Sequence, residues 1–133
     1  MEPSIKNDLE QQDLFTKSQV DSLTNHLFSV FQVHENGNLR KLNDSDTRRA
    51  YFSKAKIEAL FDANPGSDGL YVYFGAYSPD VPYTASNTPH ENKLTAMLVT
   101  SNEKTLNLAD GTSLAGGGMA LGPVKTCPPD ICP

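Results

Sequence analysis

The chain has 133 residues, a formal charge of −5 and a hydrophobic fraction of 38%, with six Phe, five Tyr and no Trp. A domain of that size buries roughly two-thirds of its unfolded surface, so it needs no disulfide or metal merely to fold. The acidic balance argues against a duplex nucleic-acid binder, which must neutralise phosphates, and against attachment to an anionic membrane surface.

Residues 1–14 are polar and acidic and form a loosely held lead-in. Met1-Glu2-Pro3-Ser4-Ile5-Lys6-Asn7-Asp8 lacks the charged-then-apolar pattern of a secretion signal. No apolar run approaches the roughly 20 residues that span a bilayer. The expected compartment is therefore cytoplasmic, where thiols stay reduced.

Thr16-Lys17-Ser18-Gln19 has the form of a capping box, and Val20, Leu23, Leu27 and Phe31 then recur at helical spacing, with Phe28 and Val30 widening the stripe. This predicts an amphipathic helix ending near Val33, before the turn residues His34-Glu35-Asn36-Gly37-Asn38. An Asn-Gly hairpin between Val30 and Leu42 is the rival reading, and the helical stripe argues against it. Tyr51-Phe52 suits a short strand or an anchor, and Ser53 an N-cap. Ile57, Leu60 and Phe61 mark one face of a second helix, which Asn64-Pro65-Gly66 stops.

A strand follows at Leu70–Tyr77, with Leu70, Val72, Phe74 and Ala76 on one side and Tyr71, Tyr73 and Tyr77 on the other. A second at Lys93–Thr100 is expected to pair with it antiparallel across the proline-studded Ser78–Asn92 loop. Thr105–Leu108 is a possible third strand, and Gly116-Gly117-Gly118 a connector. Helices first and strands later give the fold expectation: α+β, with two N-terminal helices packed on a small antiparallel sheet and an extended Cys/Pro C-terminal tail. One domain spans 1–133, with the tail at 124–133, and Leu27 and Phe74 belong to its core.

Both cysteines lie in Cys127-Pro128-Pro129-Asp130-Ile131-Cys132-Pro133. Cys127 and Cys132 admit four readings: a local disulfide, a zinc site completed by a second chain or by His90, a haem ligand in a Cys-Pro motif, or reduced thiols in a tail packed by Pro128, Pro129 and Ile131. A reducing compartment and only two thiols favour the last.

The histidines His26, His34 and His90 have no nucleophile placed beside them, and Gly66-Ser67-Asp68-Gly69 has the wrong spacing for a serine elbow. Asp44-Ser45-Asp46 is broken as a calcium loop by Thr47-Arg48-Arg49. The Gly116–Gly118 run lacks phosphate-loop and dinucleotide spacing. No catalytic residue or cofactor is expected. Tyr71, Tyr73 and Tyr77, extended by Met97 and Val99, form a candidate binding face, although it lacks the basic residues and motif of an RNA-binding sheet. If both faces of the strand pair are apolar, two helices cannot cover both, and a homodimer follows.

The second helix, Gly69–Tyr77, Lys93–Val99 and the Cys-Pro-Pro-x-x-Cys ending together resemble an uncharacterised bacterial family of small α+β proteins, over roughly residues 50–133. The resemblance implies a bacterial cytoplasmic origin and transfers no catalytic residues. The expectation is a non-enzymatic cytoplasmic protein that self-associates, as a dimer, or binds a protein partner. The alternative is a thiol-based redox, metal or haem protein using Cys127 and Cys132. A third reading is a hydrolase with its site in the Ser78–Asn92 loop.

Overall fold

The computed structural model describes residues 13–78, 92–102, 108 and 119–132. The chain divides into two compact units, Met1–Asn43 and Asp44–Pro133.

The first unit is a helix followed by a hairpin. Helix α1 spans Lys17–Val30 and begins at the capping box: Thr16 accepts from the Gln19 amide, and the Gln19 side chain accepts from the Thr16 amide. It ends at Val30 because the next residues form strands β1 (Gln32–Glu35) and β2 (Asn38–Lys41), paired antiparallel. The turn between them uses Asn36 at φ 54° and Gly37 at φ 82°. Two successive positive φ values match the right-handed twist of the flanking strands, which is why Asn-Gly favours this turn. Arg40 and Glu35 pair across the ladder at 2.9 Å. The hairpin disfavoured by the helical stripe is thus present, and the helix stops three residues before Val33. Only part of the stripe is covered. Phe28 is buried and Leu27 half-buried, whereas Val20, Leu23, Val30 and Phe31 are exposed. Leu27 is therefore not the fully buried residue its position predicts.

The second unit holds β3 (Arg49–Tyr51), helix α2 (Lys54–Ala63), β4 (Gly69–Ala76), β5 (Leu94–Ser101) and β6 (Lys125–Cys127). Ser53 caps α2 by accepting from the Lys56 amide. Asn64 closes it, its side-chain amide donating to the Leu60 carbonyl, and Gly66 takes the left-handed backbone of the reversal at φ 90°. Mixed α+β is the observed class. The helices are nonetheless not both N-terminal to the strands: three strands separate α1 from α2.

Among the described residues the single small sheet is replaced by three two-stranded ribbons, β1–β2, β3–β6 and β4–β5. In the second unit, β4 pairs with β5 from Gly69↔Ser101 to Ala76↔Leu94. On its other edge, β5 bonds to Leu121, with Leu98 and Leu121 exchanging both backbone hydrogen bonds at 2.9 Å. The chain then enters β6, which pairs antiparallel with β3 as Arg49↔Cys127, Ala50↔Thr126 and Tyr51↔Lys125. In the same unit the Lys93 ammonium meets the buried Asp46 carboxylate at 3.4 Å and the Ser45 hydroxyl at 3.3 Å.

The tail is therefore a docked strand and not an extended appendage. Beyond the ladder, the Arg48 amide donates to the Cys127 carbonyl, the Val124 amide to the Tyr51 carbonyl, and the Thr47 hydroxyl to the Pro128 carbonyl. Truncation after Val124 removes this ladder and uncovers β3, and should lower the thermal unfolding midpoint markedly. Replacing both cysteines with serine removes only a short-loop cross-link, worth about 2 kcal/mol at most, and should leave a cooperative transition. Calorimetry of the two variants checks the order; a truncation no worse than the double serine variant would refute the strand's role.

Candidate functional site: the exposed β4 strand and the bridged tail

β4 and β5 carry similar apolar sequences and have opposite fates. Along β5, Leu98, Val99, Thr100 and Ser101 are all buried, Val99 at 1% exposed and Thr100 at 0%. Since alternate residues face opposite sides, β5 is covered on both faces in its second half. β4 is covered on neither: Leu70, Val72 and Phe74 on one face and Tyr71 and Tyr73 on the other are exposed, with Phe74 at 84%. Phe74 is thus a surface residue and not part of the core. An apolar run on both faces reads as a central strand; here the central position belongs to β5.

The edge of β4 follows from hydrogen-bond parity. Leu98 directs its amide and carbonyl to Leu121, away from β4, so the opposed pair Val72↔Leu98 is a non-hydrogen-bonded one. Val72 therefore also points its backbone groups away from β5, as do Leu70, Phe74 and Ala76 at the same parity. The register further confirms that Met97 and Val99 lie opposite Tyr73 and Tyr71. Tyr77 leaves this group: it lies one residue past the strand and is buried, and its hydroxyl accepts from the Thr95 hydroxyl at 3.0 Å. Of the three tyrosines proposed as a binding face, the structure displays Tyr71 and Tyr73 and uses Tyr77 in packing.

The other candidate pair, Cys127 and Cys132, is joined as a disulfide with its Cα atoms 5.9 Å apart, within the usual range for a bridge. With both sulfurs in the bridge, neither presents a thiolate to zinc or haem iron. His90 lies outside the described residues, as do most of the Ser78–Asn92 loop and of Thr105–Leu108, and Gly116–Gly118. Among the described residues no cluster of three or more His, Cys, Asp or Glu could hold a metal. The bridge closes a turn in which the Thr126 amide donates to the Asp130 carboxylate and the Asp130 amide to the Thr126 carbonyl, both at 2.9 Å.

A cavity of about 520 Å³ lies beside the bridge, lined by Arg49, Ala50, Tyr51, Lys125 and Cys132. Nothing local in the sequence brings Arg49, Tyr51 and Lys125 to the tail. The β3–β6 register does so, placing Tyr51 opposite Lys125 and Arg49 opposite Cys127. The Lys125 ammonium also donates to the Ile131 carbonyl at 3.2 Å, folding the loop against its own strand.

No helix among the described residues is long and apolar enough to cross a membrane. Comparison with family models, curated proteins and solved structures finds no match to this chain.

The opposite fates of β4 and β5 have a direct energetic consequence. Phe74→Ala should change stability by under about 0.5 kcal/mol in dilute protein, as expected of an exposed site. Leu98→Ala should cost about 2–5 kcal/mol, as for a buried leucine. Urea unfolding of both variants checks the assignment, and a costly Phe74→Ala would return that residue to the core.

Proposed function

We propose that this chain is a non-enzymatic protein-association domain and that it self-associates through β4. The observation that carries this reading is an eight-residue strand, Gly69–Ala76, whose outer edge pairs with no other described residue, with uncharged side chains throughout and both faces exposed. Edge strands are ordinarily blunted by charged residues, prolines or bulges that prevent pairing with another chain. β4 carries none of these.

A second copy is the occupant that fits best. A chain with a net charge of −5 repels its own copies in general, and β4 is a surface on which they meet without opposing charges. Antiparallel pairing about Tyr73 sets Val72 against Phe74 of the second copy and Leu70 against Ala76. It satisfies the outward backbone groups of both strands and makes a four-stranded sheet. By typical side-chain areas, the exposed parts of Leu70, Tyr71, Val72, Tyr73 and Phe74 amount to roughly 500 Å² per chain. Complete burial of these side chains on both copies would set an upper bound of about 1,000 Å², the low end for a specific interface.

The bridge also bears on the compartment. A disulfide persists where thiols are oxidised, and the cytoplasm expected from the first residues keeps them reduced. An oxidising compartment is therefore the reading that suits the bridged form.

Light scattering at high micromolar concentration tests self-association, with a dimer expected. Val72→Lys and, separately, Phe74→Lys place like charges at the interface and should give folded monomers, with unchanged far-ultraviolet circular dichroism. A monomeric parent protein removes the proposal, as do lysine variants that remain dimeric.

A further inference from the structure

We propose that Asn36 is a site of self-directed covalent modification, cyclising onto the Gly37 amide with loss of ammonia and reopening with water to aspartate or isoaspartate. The site lies in the first unit and does not depend on the β4 reading. Three observations carry it. Asn36 precedes Gly37, and both are exposed in the turn between β1 and β2. An added Cβ at Gly37 would meet no atom within 4 Å, so the peptide there has room to rotate. The two-residue turn, flanked by the pair Glu35↔Asn38, holds Asn36 at φ 54° and Gly37 at φ 82°.

The backbone of Asn36 is the decisive element. With both φ values positive the turn is of type I′, whose first central residue has ψ near about 30°. At that ψ the following nitrogen points away from the Asn36 side chain. A type II′ turn keeps the same positive φ at this position and takes ψ to about −120°. That rotation swings the Gly37 nitrogen onto the side of Cβ, within reach of the Asn36 Cγ. Turning the one peptide unit between Asn36 and Gly37 interconverts the two types. Both types join the same two-residue hairpin, so β1 and β2 need not separate. Gly37 follows the rotation to negative φ without steric cost. An asparagine in a helix or strand holds a negative φ and would have to change both backbone angles.

The chemistry is an acyl transfer followed by hydrolysis, with no change of oxidation state. The Gly37 nitrogen, losing its proton to hydroxide, attacks the Asn36 Cγ, and an N–Cγ bond forms. The Cγ–Nδ2 bond breaks, and Nδ2 takes a proton from water and leaves as ammonia. Water then adds to one carbonyl of the resulting five-membered imide. Breaking the new N–Cγ bond gives aspartate, with the original chain restored. Breaking the bond to the Asn36 backbone carbonyl carbon gives isoaspartate, in which the chain runs through Cβ and Cγ. The two products differ in their effect on the hairpin. Aspartate tolerates positive φ and keeps an Asp-Gly turn. Isoaspartate adds a backbone carbon between Glu35 and Asn38, which the two-residue turn does not accommodate.

The test incubates the folded full-length protein at neutral pH and follows each asparagine by peptide mass and fragmentation, with isoaspartate-specific carboxyl methylation as a second readout. Asn25 in α1 and Asn38 in β2 serve as internal references, since both lie outside the positive-φ turn and precede larger residues. Asn36 should convert on the order of tenfold faster than either, as expected of a reacting pair brought close by one rotation. The rate should rise with hydroxide concentration. It should stay constant in urea below the unfolding transition, because the peptide rotation exposes little new surface. Asn36→Gly keeps a Gly-Gly turn and removes the electrophilic carbon, so conversion at this position should be lost. Amide exchange should show β1–β2 protection kept in the aspartate form and lost in the isoaspartate form. An Asn36 rate no greater than those of Asn25 and Asn38 would overturn the proposal. A rate that climbs with urea in step with unfolding would overturn it equally, by placing the reaction in the unfolded chain.

Discussion

The second unit depends on the hydrogen bonding of β5. This strand is bonded on both edges, to β4 along its length and to Leu121 on the other side, and its Val99 and Thr100 are fully buried. A strand paired along one edge, bonded at Leu98 on the other and buried on both faces in its second half takes the interior position. Its neighbour β4 is then left at the periphery, although it is equally apolar. The bond to Leu121 also sets where the chain goes next, since a few residues later it becomes β6 and pairs with β3. The edge at β4 and the anchored tail are therefore two results of the same placement.

Those two surfaces differ in chemistry. β4 offers backbone groups and aromatic and aliphatic side chains without charge, which favours non-directional burial combined with strand pairing. The β3–β6 ribbon offers a guanidinium and an ammonium beside a disulfide, within a chain whose total charge is negative.

Several elements were legible because their determinants are local. The capping box at Thr16 and Gln19, the N-cap at Ser53 and the stop at Asn64-Pro65-Gly66 each satisfy or reverse a helix end within a few residues, and each lies where its residues predicted. Asn36-Gly37 is equally local. It was outweighed by a periodic stripe that continues through Phe31 into Val33, although the favourable turn ends the helical run at Val30. The registers Tyr71↔Val99 and Tyr73↔Met97 also follow from alternation once the two strands are known to pair.

Alternation along Leu70–Tyr77 determined which side chains share a face, and composition determined that neither face repels a partner. What the linear chain leaves open is cover, because burial depends on which neighbour occupies each edge and face. The sequence by itself determined the starts of both helices, the stop of the second, the two long strands and the closeness of two cysteines five positions apart. Only the tertiary structure decided that Phe74 lies outside and Val99 inside, that Tyr77 belongs to packing, and that the tail is a strand. It alone brought Arg49, Tyr51 and Lys125 to the bridge. The physical reason is the range of the forces involved: caps and turns are satisfied within a few residues, whereas strand order is set by hydrogen bonds between segments far apart in the chain.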